Sequence, residues 1–513
     1  MSRKTAVVCI FQWNGLRVRD QPLLANLAPS DYLLNLHVID DLWESKTAKN
    51  MRRSSALRRS FYAESVRSLA HNLNQRGSSL SVLKGSTPEA VAASVASLHQ
   101  TYDVKAVYVE AANTVEEMLC IKDIRARLAE YNVVMVPNAQ TLVKPNAIPN
   151  SELPDTFTQF RIKVEKYSDT TLRAEFKTPS KLPPPPPDSV SPVASEDVLE
   201  NFAGSFITTD PRSAFPFPAG ENAALHRVHH YLSTTHAIKT YKETRNGLVG
   251  SEYSSKLSPF LAFGTLTAIT VYKHLRAYEG QHSSNESTYW LFFELLWRDY
   301  FQLIAKKYGS RLYQLEGITP NPPNTAAWRF QSHTFDAWRL GKTGIPFVDA
   351  NMRELAATGF MSNRGRQNAA SFLARDLALP WTYGAEWFEE QLLDHDPCSN
   401  YGNWQYVAGV GNDPRSDRYF NVIKQGKDYD PEGEYVKLWC PELAKVPIEM
   451  IHHPWKMSME QQRDANVELG ITYPLPIVES EAWKKHYGWA AGKGKAGRAN
   501  QGETVFRRKK GGK

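Results

Sequence analysis

Between Asp394 and Gln425 the chain packs chemistry-bearing side chains more densely than anywhere else. Asp394, Asp396, Asn400, Asn403, Trp404, Gln405 and Tyr406 fall within thirteen residues, and Asn412, Asp413, Arg415, Arg418 and Asn421 follow at once. A core segment would be mostly aliphatic, and a solvated loop would not carry so many aromatics. Polar groups this dense among aromatics describe a buried, hydrogen-bonded cradle for a flat polar ligand; the alternative is a polar turn between helices. Upstream, Tyr241-Lys-Glu-Thr-Arg-Asn246 leads through Gly250 to Ser254-Ser255-Lys256-Leu257-Ser258-Pro259. Hydroxyls and a lysine ahead of a helix suit a pyrophosphate, because they add donors to backbone N–H groups. In Trp290–Phe301, Glu294 lies three and four residues from Trp297 and Arg298 and shares a helix face with them. A carboxylate beside a tryptophan can read a base edge and stack on it; the alternative is an internal Glu294–Arg298 pair.

The elements that must position these groups fall into two classes. Residues 5–15 read as a buried strand running into a polar loop with Leu16, Arg17 and Asp20, and Asn35–Asp40, Leu80–Leu83, Val104–Val109 and Val133–Val136 read as further strands. They alternate with helical stretches at Ala56–Arg76, Pro88–Tyr102 and Thr114–Tyr131, the second opening on a capping-box spacing at Ser86–Glu89. This alternation predicts an open parallel α/β sheet of Rossmann-like topology over 1–145. No GxGxxG follows the first strand, which argues against a dinucleotide fingerprint site. Residues 146–220 hold five consecutive prolines, Pro183–Pro187, and read as a semi-rigid linker or, alternatively, a ligand for a proline-binding partner. From 221 to 490 strand signals nearly vanish and helical periodicity dominates, so the second domain is all-α. Its helices are expected at Glu221–Ser233, Thr265–Tyr278, Ser287–Tyr308, Phe335–Leu340, Ile345–Thr358, Asn363–Ala378 and Ala385–Leu393.

At 513 residues the chain exceeds a single core. Its four cysteines (Cys9, Cys120, Cys398, Cys440) lie far apart, with no CxxC pair and no Cys/His cluster. A disulfide framework and a structural metal site are therefore not expected, and a reducing intracellular compartment, cytoplasm or nucleus, is. No apolar run approaches the roughly 20 residues of a membrane helix, and no transit peptide is evident. The net charge is +7, and residues 491–513 alone carry eight Lys/Arg against Glu503. That tail reads as a flexible polyanion-seeking arm, for DNA or RNA, or as a solubilising or nuclear-targeting tail. Nothing in the sequence calls for an obligate assembly, so a monomer is expected.

Taken together, YSSKLSPFLAFG, FELLWRDYF, GKTGIPFVDA, TGFMSNRGRQNAASFLARDL, LLDHDPCSNYGNWQYVAG and the RYFN segment resemble the DNA photolyase/cryptochrome family, within it the cryptochrome-DASH branch. The likeness is specific over about 241–443 and looser over the α/β domain. It implies FAD held in the helical domain by Tyr241, Ser254, Ser255, Lys256, Leu257, Ser258, Asp394, Asp396 and Arg366, with Arg366 pairing Asp394 and Asn400 at the flavin N5. It implies an electron relay through Trp404, Trp381 and Trp328, each of which would otherwise be core packing. It implies a lesion pocket of Glu294, Trp297, Arg298, Asn363, Arg364, Gln367 and Tyr406, in an enzyme that splits cyclobutane pyrimidine dimers by electron transfer from light-excited reduced FAD, a deoxyribodipyrimidine photo-lyase. Photolyases are base-flipping enzymes. Tyr406, where conventional dimer photolyases have Trp, and Gln367 fit a preference for single strands. Asn363-Arg364 stands where (6-4) photolyases carry His, which disfavours that chemistry. The N-terminal pattern is kept only in part, at Arg17 and Asp20. The glutamate that binds a methenyltetrahydrofolate antenna falls on Ala112, with Glu110 as the neighbouring substitute, so the antenna site is expected to be empty or to hold another pigment. The competing readings are a blue-light photoreceptor that uses the three tryptophans, and a nucleic-acid-binding module driven by the tail.

Overall fold

The computed structural model describes residues 3–187, 192–204, 209–320, 325–413, 415 and 418–487, so the tail at 491–513 lies outside it. Strands β1 (Thr5–Phe11), β2 (Tyr32–Asp40), β3 (Leu80–Gly85), β4 (Asp103–Glu110) and β5 (Val133–Val136) form one parallel sheet, ordered β3-β2-β1-β4-β5. Side chains alternate between its faces. Ala6, Val8, Ile10, Leu36 and Val107 pack against Val91 and Val95 of α2 (Thr87–Thr101) and Ile121 and Ile124 of α3 (Val115–Arg127). Val7, Cys9, Phe11 and Leu33 face α1 (Ala56–Asn74) and belong to one core that continues into the helical part. Both faces are covered, which is why the strands read as unbroken apolar runs.

At the β1/β4 switch point, where open α/β sheets tend to bind ligands, the helical part closes in. Gly264, at φ +62, lies so near Asn14 that a Cβ there would stand 1.7 Å from the Asn14 carbonyl oxygen. The sequence motif at Ser86 acts differently from its spacing: Ser86 makes no side-chain cap, and Asp40 at the end of β2 accepts the Thr87 N–H at 3.0 Å instead.

Among the described residues the stretch read as a surface linker contains two helices of ten or more residues. In α4 (Phe157–Lys166) Phe157, Phe160 and Val164 are buried, and α5 (Pro192–Ala203) buries Leu199 and Phe202. The proline run itself is tied to the start of β2, since Leu33 N–H donates to the Pro184 carbonyl at 2.9 Å.

The helical part includes α6 (Glu221–His229), α7 (Ser258–Ala262), α8 (Ala268–Gln281), α9 (Glu286–Tyr308), α10 (Ser332–Arg339), α11 (Pro346–Thr358), α12 (Asn363–Ser371), α13 (Trp381–Gln391), α14 (Pro397–Ala408) and α15 (Val422–Tyr429), with further short helices between and after them. Two expected helices, 221–233 and 363–378, end in π-turns at His230–Thr234 and Phe372–Asp376. Among the described residues no helix is long and apolar enough to cross a membrane.

Candidate active-site cavity

A cavity of about 510 Å³ in the helical part is lined by all ten residues expected on the cofactor side and all seven expected on the substrate side. Trp404 also lines it, whereas Trp381 and Trp328 stand behind its wall.

The loop before α7 forms one end. Lys256 is only 2% exposed, and its backbone sits at φ +59, a region that non-glycine residues seldom occupy. Its ammonium lies 3.2 Å from the Tyr253 ring centroid and 4.6 Å from that of Phe360, and among the described residues it has no hydrogen-bond partner. Burial pushes its pKa well below the usual lysine range; Glu354 opposes this, while Arg227 and Arg366 add to it. A buried donor without an acceptor is the complement of an anionic ligand group. Arg227, which sequence reasoning missed, donates to the carbonyls of Ser251, Ser254 and Ser255 at 3.2, 3.1 and 3.0 Å. It thereby engages three acceptors of this loop. Glu354, also missed, is buried on α11 and accepts the Tyr435 hydroxyl at 2.6 Å; burial raises its carboxyl to about 7.

Opposite, Arg366 grips Asp394 with two parallel bonds of 2.9 and 2.8 Å, as the motif implied. Asp396 serves the fold as well as the wall. It caps α14 through Ser399 N–H at 2.7 Å and accepts Gln302 Nε2 at 2.7 Å. Gln302 in turn accepts Asn113 Nδ2 of the α/β domain at 3.0 Å. Asn400, one turn into α14, donates its amide to the Ala385 carbonyl at 2.9 Å. A carboxamide fixed in this way offers its oxygen, an acceptor, to the cavity.

On the substrate side, Glu294 pairs with Arg245 at 2.7 Å and accepts Trp290 Nε1 at 3.2 Å. The internal Glu294–Arg298 pair is not formed. Arg298 instead donates to the Gln140 and Leu261 carbonyls at 2.5 and 3.1 Å, bracing the two domains. Trp297 has one face covered by Phe157, with centroids 3.7 Å apart and planes at 10°, and meets Tyr406 edge-on at 5.8 Å. Phe157, which backs Trp297 without lining the cavity, belongs to the stretch read as linker; its signal was the spacing of Phe157, Phe160 and Val164. Arg418 donates to the Tyr406 hydroxyl at 2.8 Å and lies 4.7 Å over its ring, and it pairs with Asp413. Arg364 binds Gln367 at 2.9 Å and Asn246 at 3.0 Å and stacks on Tyr429. Asn363 completes this wall.

Trp404 is buried over Gly384 of α13, where a Cβ would come within 2.2 Å of its ring. It meets Phe388 edge-on at 5.1 Å and Trp338 at 6.2 Å. Trp381 is buried and donates to the Leu315 carbonyl; Trp328 is partly exposed and donates to that of Ala374, both at 2.9 Å. Trp338 was not among the expected aromatics.

Comparison with known proteins bears on this cavity directly. Residues 290–490 match the FAD binding domain of DNA photolyase, and residues 7–186 match the DNA photolyase family. Cryptochrome DASH of Gloeobacter violaceus is 41% identical over 95% of this chain and 98% of its own length. The chain belongs to the DNA photolyase/cryptochrome family, in its cryptochrome-DASH branch. Cryptochrome DASH of Xenopus laevis is 42% identical, over 94% of this chain and 91% of the relative. The crystal structure of a Synechocystis cryptochrome superposes with a TM-score of 0.86 at 39% identity, covering 93% of this chain and 97% of the other. A class III photolyase from Agrobacterium tumefaciens superposes at 0.78 with 27% identity, covering 93% and 95%. The cavity wall from Trp290 to Phe420 falls in the part matched to the FAD binding domain, and Tyr241–Ala262 complete it from just before that part.

Proposed function

We propose that this cryptochrome-DASH protein is a blue-light-driven, FAD-dependent enzyme that splits cyclobutane pyrimidine dimers in DNA, with a preference for single strands. One observation carries the reading: the cofactor-side and substrate-side residues line a single cavity, with Asn400 and Glu294 both on its walls. The residues fit FAD, because an unpartnered buried lysine waits at the loop end and an acceptor carboxamide at the α14 end. When bound, FAD supplies the light absorption and the electron that is lent to the dimer and recovered.

The chain's own residues do the rest. Lys256 and the Ser254–Ser258 loop would hold the phosphates, the Arg366–Asp394 pair the flavin side, and Asn400 Oδ1 would accept the N5 proton that only the reduced ring carries. Arg245 holds the Glu294 carboxylate toward the pyrimidine edge. Phe157 and Tyr406 fix the Trp297 ring as a stacking surface. Trp404, Trp381 and Trp328 would pass electrons inward to the flavin, leaving the oxidising equivalent on the partly exposed Trp328.

Extruding a dimer from a duplex costs a few kcal/mol, while stacking returns roughly 1–3 kcal/mol per base. Tyr406 offers less ring area than a tryptophan and is clamped by Arg418, so less of the extrusion cost is offset, which supports the single-strand preference.

The residues present do not fit a folate antenna held by the family's glutamate. Ala112 has no carboxylate. The Glu110 carboxylate accepts Ala139 N–H at 2.7 Å, and that of Glu117 is bonded by Trp13 and Asn14, both at 3.0 Å. No antenna step therefore enters the function. The test is repair of a dimer-bearing single strand by the FAD-reduced protein under blue light, with a dark control. Equal dimer content in the two samples would overturn the proposal.

A further inference from the structure

The π-turn Phe372–Asp376 that follows α12 meets the outer end of the tryptophan series. Its Ala374 carbonyl accepts the Trp328 indole N–H at 2.9 Å, and the Ala378 carbonyl just beyond it accepts Arg329 N–H at 3.0 Å. Asp376 lies between these two points in the chain, its Cα at most about 7.6 Å from that of Ala374. Its Oδ1 accepts the Tyr419 hydroxyl at 2.8 Å, while its Oδ2 is buried and has no partner among the described residues. The Tyr419 oxygen in turn accepts the indole N–H of the fully buried Trp483 at 2.7 Å. With its oxygen engaged in this way, the phenol directs its proton at the carboxylate. Arg375, next in the chain to Asp376, turns to the Val407 carbonyl at 3.4 Å. Tyr419 itself is 38% exposed, so this cluster runs from the relay's end to the surface.

We propose that Tyr419 is the last electron donor of the relay, reducing oxidised Trp328 while its phenolic proton passes to Asp376. This rests on the relay reading above. An indole radical cation is an acid, but the Trp328 N–H is held by a carbonyl, which is no base. The hole therefore stays on a strongly oxidising indole cation. One electron moves from Tyr419 to Trp328 and restores the neutral indole. One proton moves along the existing hydrogen bond from the phenol to the carboxylate. The products are a neutral tyrosyl radical and a neutral carboxyl, so a cation and a half-buried anion are both discharged. Burial and the Asp376 carboxylate raise the Tyr419 pKa, so the phenol keeps its proton until the electron leaves. Burial lifts the Asp376 carboxyl to about 7, against the pull of the Tyr419 bond, which gives it the strength of a base that works near neutrality. The competing phenol is Tyr383, stacked at 4.1 Å on Phe330, two residues from Trp328. No carboxylate is bonded to it among the described residues, and the Lys49 ammonium 5.4 Å from its ring centroid opposes a hole there.

The experiment is a blue-light flash on the full chain loaded with oxidised FAD, followed by time-resolved EPR, with ordinary or ring-deuterated tyrosine in the protein. The expected result is a tryptophanyl signal that gives way to a tyrosyl one, whose line narrows with the deuterated label. Heavy water should slow that exchange and leave the appearance of the tryptophanyl signal unchanged. Tyr419→Phe should leave the tryptophanyl signal standing, and Tyr383→Phe should keep the exchange intact. Asp376→Asn retains an acceptor oxygen for the phenol but no base, and should slow the exchange by roughly 100-fold or more. This second variant and the heavy-water comparison decide the matter if Tyr419→Phe fails to hold FAD. A tryptophanyl signal that never yields to a tyrosyl one overturns the proposal. So does a tyrosyl signal that survives Tyr419→Phe, or an exchange equally fast in Asp376→Asn and its parent. If no tryptophanyl signal forms at all, the relay reading falls and this proposal with it.

Discussion

Replacing Lys256 with methionine should move two quantities in opposite directions. The ammonium is buried between the Tyr253 and Phe360 rings without a hydrogen-bond partner among the described residues. Burying such a donor unsatisfied costs about 1–3 kcal/mol. Methionine has a similar length, is no worse at the residue's φ of +59, and suits an aromatic slot. The flavin-free protein should therefore be stabilised by about 1–2 kcal/mol. The same change deletes a charge-assisted bond to phosphate worth about 1.5–3 kcal/mol, so FAD should bind roughly 10- to 150-fold more weakly. The pH dependence has a definite sign. The folded lysine's pKa lies well below its ordinary 10.5, so the unfolded chain binds the extra proton. The cost is then greatest at low pH and is relieved as pH rises toward 10.5. The parent flavin-free protein should gain stability with pH across that window, and Lys256→Met should flatten the gain. Thermal unfolding of the flavin-free proteins and fluorescence titration with FAD measure both halves. A destabilised variant that binds FAD as tightly as its parent would refute the reasoning.

Glu294→Gln should weaken binding of a dimer-bearing strand by roughly 10- to 100-fold while flavin content stays at the parent level, because a hydrogen bond to a charged group is lost outside the cofactor end; loss of flavin on purification would show the residue misassigned. Gly384→Ala places a methyl group 2.2 Å from the Trp404 ring. It should cost about 1–3 kcal/mol in denaturant unfolding and slow flavin photoreduction, and an unchanged photoreduction rate would disconnect Trp404 from the relay. The Glu354 carboxyl, raised to about 7 from an ordinary 4.5, binds its proton more tightly in the folded state. Its contribution to stability is complete below pH 4.5 and disappears as pH rises through 7, and Glu354→Gln should remove that slope from urea midpoints measured between pH 5 and 8. Tyr406→Trp should raise repair of duplex relative to single-stranded substrate, since a larger ring offsets more of the extrusion cost.

The sheet was legible because its strands are covered on both faces, which leaves apolar runs such as Ala6–Phe11 plain in the sequence. The Asp394–Gln425 cradle was legible because its polar residues cluster around aromatics, whereas the remaining lining residues came from the family resemblance of separate motifs that converge on one space. What escaped is tertiary. Arg245 holds Glu294 across 49 residues, and no spacing rule reaches that far. The capping-box pattern at Ser86 pointed to the right helix start, but Asp40 arrives from a strand to cap it. Pro183–Pro187 dominated the reading of 146–220 and concealed α4, whose Phe157 backs the Trp297 ring. The π-turns at 230 and 372 leave the periodicity of their helices almost untouched, so the helices read as longer than they are.

The most direct test of the account is the initial rate of blue-light repair on one thymine-dimer oligonucleotide, presented to the FAD-reduced protein as single strand and as duplex side by side. The account predicts rapid repair of the single strand and markedly slower repair of the duplex. No repair of either, by protein that retains FAD and photoreduces it, would contradict the enzyme reading and leave a photoreceptor in its place.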